Sequence, residues 1–362
     1  MSVRVGINGF GRIGRNFVRA ALAQGSDIEV VAINDLTSAS TNAHLLRYDS
    51  TRGRLSLPVE VEKDRLIVGD LNIEVLAERD PACLSWGELG VEVVVESTGR
   101  FTSRKDAAAH LDAGAKRVVI SAPSGDADAT FVVGVNDQEF DPNSHFIVSN
   151  ASCTTNCFVP MVKVLDDAFG VVSGLMTTVH AYTNDQNLLD LAHSDLRRSR
   201  AAAINIVPSS TGAARATSLV LGSMAGRLDG SSLRVPVASG SITDFTAILN
   251  GSVTKEEVNE AFEHAAAKPP LVDILVYTED PIVSSDIVGS SASCTFDAGL
   301  TMTQSIDQAT TLVKTWGWYD NEWGYSNRLV DLVRVVGSAR STGSAGNTGS
   351  AGSAGNAARE RS

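Results

Sequence analysis

Val3-Arg4-Val5-Gly6-Ile7-Asn8-Gly9-Phe10-Gly11-Arg12-Ile13-Gly14 decides the fold. The run up to Ile7 reads as a strand, and glycines 9, 11 and 14 follow it at once. Ile13, Phe17, Ala20 and Ala21 then recur at helical spacing, and Gly25 stops that helix. Residues 28–33 form a second apolar strand that leads to Asp35. A strand, a glycine turn, a helix, a strand and an acidic residue about 20 positions on make a dinucleotide-binding arrangement. Gly9 permits the tight turn, Gly11 lets a pyrophosphate approach the backbone, and Gly14 lets the helix pack on the strand. The phosphates are expected to meet free N–H groups at the helix start, from Arg12 and Ile13 onward. Asp35 suits ribose hydroxyls and repels a phosphate in their place, so NAD is expected over NADP.

Working outward, short apolar strands alternate with helices up to about residue 150. Residues 66–68 and 72–76 read as a hairpin, 91–95, 117–120, 131–135 and 146–148 as strands, and 105–113 as a helix. The pattern predicts a largely parallel, doubly wound α/β sheet of Rossmann type. Asp35, Thr98, Ser121 and Cys153 each follow a predicted strand, so one sheet edge can gather cofactor and nucleophile. Beyond residue 152 longer β-forming stretches take over, at 171–182, 231–237, 242–249, 273–278, 293–303 and 312–318. Few helices separate them; 209–221 and 254–267 are the clear ones. This predicts an α+β catalytic domain with a mostly antiparallel sheet, helices on one face. An amphipathic helix over 322–336 has Tyr325, Leu329, Leu332, Val333 and Val336 on one side, suited to packing back on the first domain. The expected division is 1–152 for the NAD-binding domain, completed by a C-terminal helix over 315–337, and 153–314 for the catalytic domain. Residues 338–358 hold no Leu, Ile, Val, Phe, Tyr or Trp, so 338–362 is expected to be a disordered tail.

The chemistry points to Ser149-Asn150-Ala151-Ser152-Cys153-Thr154-Thr155-Asn156-Cys157. An apolar run precedes it and a helical run follows, which places Cys153 at a strand-to-helix junction near the positive end of a helix dipole. Such a position favours the thiolate. His180 ends another apolar run and can serve as its base from a neighbouring strand. Cys153 and Cys157 are spaced i, i+4, too far apart for an unstrained disulfide.

The 362 residues are 43% hydrophobic, enough for a full core in two domains. Thirty basic against 42 acidic residues leave a net charge of −12, which argues against a nucleic-acid or anionic-membrane surface. No apolar run is long enough to cross a membrane, and the N-terminus enters a strand directly, unlike a signal peptide. Four cysteines make no disulfide framework, so a cytoplasmic setting is expected. No metal site is expected.

Asn8 to Arg15, Ser149 to Cys157, His180-Ala181-Tyr182-Thr183, Ser210-Thr211-Gly212-Ala213-Ala214, Leu233-Arg234-Val235-Pro236 and Trp318-Tyr319-Asp320-Asn321-Glu322 stand in order and well spaced. Together they resemble the phosphorylating glyceraldehyde-3-phosphate dehydrogenases, from Ser2 to about Gly337. The resemblance implies oxidation of glyceraldehyde 3-phosphate with NAD and inorganic phosphate to 1,3-bisphosphoglycerate, through a thioester on Cys153 with His180 as base. It implies Arg12, Ile13, Asp35, Arg79 near the adenine, Ser121 and Asn321 for the cofactor, Asn321 holding the carboxamide. Thr183, Arg198 and Arg234 are implied for the substrate phosphate, and Ser152, Thr154, Thr211 and Gly212 for the incoming phosphate. Arg197 and Arg200 stand beside Arg198 as rival ligands. A homotetramer is implied as well, with residues 182–204 as a loop near a neighbour's cofactor. Ala192 and the run Val237-Ala238-Ser239-Gly240 depart from the usual family pattern and raise altered cofactor tolerance. The competing readings are an erythrose-4-phosphate dehydrogenase, a non-catalytic NAD-binding regulator and a cysteine hydrolase.

Overall fold

Nine strands form the first sheet of the computed structural model, which describes residues 2–338. They lie in the order Ala129–Thr130, Ile147–Ser149, Arg117–Ile120, Val93–Glu96, Val3–Asn8, Ile28–Asn34, Leu71–Leu76, Arg65–Val68, Val59–Glu62. All neighbours are parallel except at the last edge, where 59–62, 65–68 and 71–76 form antiparallel hairpins. The chain builds outward from Val3–Asn8 on one side, then returns to build from Val93–Glu96 on the other. The strand order therefore reverses between these two, and the crevice at their carboxyl ends is where an open α/β sheet takes its ligand.

The helix Arg12–Ala23 packs on this sheet because Gly14 has no side chain. A Cβ there would lie 2.4 Å from the Gly9 carbonyl oxygen. Glycine to alanine in a helix ordinarily gains about 1 kcal/mol. Here the clash is with backbone, which cannot step aside, and overpacking costs about 1–3 kcal/mol. Gly14→Ala is therefore expected to lower the melting temperature; an unchanged or higher value in thermal unfolding would show that the turn can yield.

The second sheet runs Val207–Ser210, Leu228–Val235, Val171–Ala181, Ser241–Asn250, Thr310–Tyr319, Cys294–Asp297, Leu275–Thr278, with Met302–Ser305 also on Thr310–Tyr319. It is mostly antiparallel; Val171–Ala181 with Leu228–Val235, and Leu275–Thr278 with Cys294–Asp297, are the parallel pairs. Along Thr310–Tyr319 every second residue is buried, the period of a strand with one covered face. That face meets the helix Cys153–Phe169. Phe158 packs edge-on against Phe245 with ring centroids 4.8 Å apart, and Phe262 stacks on Phe296.

Some local readings need correction. Residues 131–135 are a turn, not a strand, and the strand there is only Ala129–Thr130. The apolar residues mislead because Asn136 Oδ1 takes the Val132 N–H and Asp137 Oδ1 takes that of Gly134, drawing the backbone away from a ladder. The expected helix over 209–221 begins as the strand Val207–Ser210, and only Ala213–Ala216 is α-helical. Ser209 and Ser210 pair instead with Ser232 and Ser231. The helix over 105–113 is two short ones, Arg104–Ala107 and Ala109–Asp112. The closing helix does not occupy 315–337. Residues 315–319 belong to the strand Thr310–Tyr319, and the helix is Trp323–Ser338. Its Leu329, Leu332, Val333 and Val336 enter the core of the first sheet with Val3, Val5 and Phe17, as the amphipathic pattern implies. Ser338 is its last residue; the rest of the expected tail, 339–362, lies outside the described residues.

Candidate active site

Cys153 is the first residue of the helix Cys153–Phe169, separated from the buried strand Ile147–Ser149 by residues 150–152. Ser152 caps the helix, its Oγ accepting the Thr155 N–H at 3.0 Å. Just before it, Ala151 is held at φ +55°, a region a side chain rarely occupies. The Tyr325 hydroxyl, from the closing helix, donates to the Ala151 carbonyl at 3.1 Å. The closing helix thus fastens the turn that aims Cys153.

His180 sits next to last on the strand Val171–Ala181, its Nε2 3.4 Å from Cys153 Sγ. The parallel register sets Arg234 directly beside it on Leu228–Val235. His180 Nδ1 lies 2.7 Å from the Ala181 carbonyl and 2.8 Å from Arg234 Nη1. With the proton on Nδ1 the ring donates to the carbonyl and turns the Nε2 lone pair to the sulfur; with it on Nε2, Nδ1 accepts from Arg234. Burial, then the Arg234 charge, hold His180 down at about 3. Burial also pushes the Cys153 thiol up, against the pull of Arg234 and the Thr154 N–H. Both directions favour neutral thiol and neutral imidazole at rest. The helix start alone predicts a thiolate; here desolvation outweighs it.

Tyr319, which the sequence reading quoted without giving it a task, joins the two halves. Its buried hydroxyl bonds Thr154 Oγ1 at 2.8 Å and Thr178 Oγ1 at 2.7 Å. One bridge thus ties the helix that begins at Cys153 to the strand that carries His180. It also engages the Thr154 side chain within the protein. Ser152 Oγ is likewise occupied by its capping bonds.

Arg234 Nη1 donates to Thr183 Oγ1 at 3.1 Å, and Thr183 in turn donates to Asp185. Arg198 Nη1 reaches the same Asp185 at 2.8 Å. Arg200 pairs with Asp190 and Arg197 is exposed, so of the three crowded arginines only Arg198 joins the Thr183–Arg234 cluster. Thr211 Oγ1 accepts the Ala213 N–H at 3.2 Å, a local turn bond, and Gly212 faces open space. Among the described residues these two make no hydrogen bond to Cys153 or His180. Asn321 Oδ1 accepts from Ser241 Oγ at 3.0 Å, which fixes the amide so that its Nδ2 remains the available donor.

At the strand-order reversal a cleft of about 320 Å³ is lined by Gly9, Gly11, Asp35, Arg79, Thr98 and Phe101, among others. Gly9, at φ +90°, lies so close to Thr98 that a Cβ would meet its N–H at 2.7 Å, whereas a Cβ on Gly11 would point into empty space. Asp35 Oδ2 accepts the Phe10 N–H at 2.9 Å, which draws the second strand's acidic end onto the glycine turn. Ser121 follows the strand Arg117–Ile120 and is half-buried.

Two family profiles match this chain: "Glyceraldehyde 3-phosphate dehydrogenase, NAD binding domain" over residues 3–104 and "Glyceraldehyde 3-phosphate dehydrogenase, C-terminal domain" over 152–321. The chain is 60% identical over 338 residues to the glyceraldehyde-3-phosphate dehydrogenase of Streptomyces coelicolor, covering 93% of this chain and 99% of that one. It is 60% identical over 343 residues to that of Mycobacterium avium, with the same coverage. It belongs to the glyceraldehyde-3-phosphate dehydrogenase family. It is accordingly an NAD-dependent, glycolytic oxidoreductase, and the competing readings fall away.

The residues present fit the dinucleotide. The helix Arg12–Ala23 begins without any side-chain cap, so its first N–H groups face the crevice unpartnered, as a pyrophosphate requires. The open space over Gly11 is the approach that a larger residue would close. No helix among the described residues is long and apolar enough to cross a membrane.

Proposed function

We propose that this member of the glyceraldehyde-3-phosphate dehydrogenase family runs its reaction on Cys153 and His180, oxidising glyceraldehyde 3-phosphate with phosphate as the acyl acceptor. The single observation that carries the reading is the 3.4 Å approach of Cys153 Sγ to His180 Nε2. Because the pair rests neutral, the proton passes from Sγ to His180 Nε2 as the sulfur attacks the aldehyde carbon. The backbone N–H of Cys153 stabilises the oxygen of the resulting hemithioacetal. A substrate phosphate on Arg234, Thr183 and Arg198 offsets the cationic charge that depresses His180, so substrate arrival strengthens the base. His180 returns that proton to the hemithioacetal oxygen, takes it up again as the thioester forms, and hands it to the thiolate released when inorganic phosphate attacks the thioester to give an acyl phosphate. Backbone N–H groups of the turn Ser152–Thr154, with Thr211 and Gly212, receive the attacking phosphate.

NAD, when bound, supplies the hydride acceptor. Arg12 and Ile13 N–H groups hold its pyrophosphate, Asp35 its ribose, and Arg79 borders the adenine; Ser121 and the Asn321 amide hold the nicotinamide end. The units are a cofactor domain, 1–152 with the closing helix, and a catalytic domain beginning at 153. A homotetramer in the cytoplasm completes the reading. Leu188, Leu189, Leu191 and Leu196 in the 182–204 loop are each more than two-thirds exposed and call for a covering subunit, and all four cysteines are free. The acidic balance supports no nucleic-acid or membrane partner.

The deciding experiment measures NADH formation from glyceraldehyde 3-phosphate with and without inorganic phosphate. Sustained turnover is expected only with phosphate present. Equal turnover without it would mean that water resolves the thioester and would overturn the phosphate step.

A further inference from the structure

Asn321 lies between two carboxylates, and each is held by an arginine from the cofactor half of the molecule. Glu322 takes one edge of the Arg12 guanidinium in two bonds, Nε to Oε1 at 2.7 Å and Nη2 to Oε2. Asp320 takes Arg52, whose guanidinium also lies over the Trp323 ring, 5.6 Å from its centroid. Asp320 is fully buried and further accepts the N–H groups of Gly289, Glu322 and Trp323 and the Ser239 hydroxyl. On the other side one carboxylate organises both arginines. Asp49 Oδ2 pairs with Arg12 Nη1 at 2.5 Å, while Asp49 Oδ1 accepts the N–H groups of Thr51 and Arg52. Arg12 is therefore committed on both flanks. Glu322 and Asp49 hold its guanidinium firmly protonated, and burial of Asp49 does not prevent its carboxyl from staying ionised.

Arg12 is also the first residue of the helix whose free N–H groups face the pyrophosphate crevice. The same residue thus ends one cofactor subsite with its backbone and grips the neighbour of Asn321 with its side chain. We infer that Glu322 is a positioning residue: through Arg12 it fixes the distance between the pyrophosphate turn and the Asn321 amide, so that a dinucleotide spans both at once. The arrangement rests on Asn321 receiving the nicotinamide carboxamide. A bidentate arginine–carboxylate pair has the geometric rigidity for this task, which a single-point contact lacks. Tying two subsites to one another raises the effective concentration of the second once the first is filled.

The test compares binding of NAD with binding of ADP-ribose, which lacks the nicotinamide end, by titration calorimetry on the full chain. Glu322→Gln keeps the shape and removes the charge. It is expected to weaken NAD by about tenfold while changing ADP-ribose by about twofold or less. Asp49→Asn, which loosens Arg12 without touching Glu322, is expected to shift the NAD to ADP-ribose ratio less. Asn321→Ala is measured alongside. If it alters the ratio and Glu322→Gln does not, the positioning role is wrong while the Asn321 reading stands. If Asn321→Ala leaves the ratio unchanged, the Asn321 reading itself fails and the inference with it. Equal weakening of both ligands by Glu322→Gln would reduce the clasp to a general prop and overturn the inference. Should that variant not fold, Glu322→Asp, which keeps the charge on a shorter arm, carries the same comparison.

Discussion

Cys153→Ser is expected to lower NADH formation by on the order of 10⁴-fold or more while leaving the fold and cofactor affinity intact. The base is the reason for the size of the effect. His180, held at about 3, is a weak proton acceptor in the resting protein. A thiol can still hand it a proton during attack, because sulfur is the more acidic and the more nucleophilic atom. A serine hydroxyl is far less acidic and would need a stronger base than this site provides. The oxygen also leaves a poorer acyl carrier, since an ester is less reactive than a thioester toward phosphate. Structure should survive: Cys153 is half-buried, and neither the Ser152 cap nor the Tyr319 bridge involves its side chain. The checks are initial rates at saturating substrate and NAD binding by calorimetry. A variant retaining more than about one-hundredth of the wild-type rate would place the nucleophile elsewhere.

Much of this was readable from local pattern. The strand into Gly9, the helix after Gly11 and the acidic end at Asp35 are encoded within a few tens of residues, and there periodicity and turn chemistry act together. The helix Lys255–Ala266 announces itself by a capping box, Thr254 with Glu257. Reading fails where side chains compete with the backbone, as at Asn136 and Asp137, or where tertiary pairing recruits a helix-prone segment, as at Ser209 and Ser210. The site shows the same division. Cys153, His180 and Arg234 carry their chemistry in their residue types. What was illegible is partnership across distance. Arg12 and Glu322 stand 310 positions apart in the chain, and neither reveals the other. Choosing Arg198 over Arg197 and Arg200 required seeing where Asp185 stands. The protonation of Cys153 could not be read either, because a helix start is a local feature and burial is a property of the whole fold.

His180→Gln should produce two separable effects, and the pair of them tests the site more sharply than activity alone. Loss of the base is expected to reduce the rate by about 10²–10⁴-fold, the usual worth of a positioned general base. The second effect is on stability against acid. In the native chain His180 stays neutral down to about 3, whereas in the unfolded chain an ordinary histidine takes up its proton near 6.5. Between these values the unfolded state binds one proton more. Stability from this group is complete above pH 6.5 and declines by about 1.4 kcal/mol for each pH unit below it until the native imidazole titrates. Glutamine has no proton to gain, so the variant should show a shallower loss of stability between pH 6 and pH 4, by close to one proton. Denaturant unfolding at a series of pH values measures that slope directly. Both effects share a cause, since the burial that keeps the imidazole neutral and ready as a base also makes it a liability in acid. If the rate falls but the slope stays unchanged, His180 is not held neutral by its surroundings. The neutral thiol–imidazole resting state would then have to give way to an ion pair.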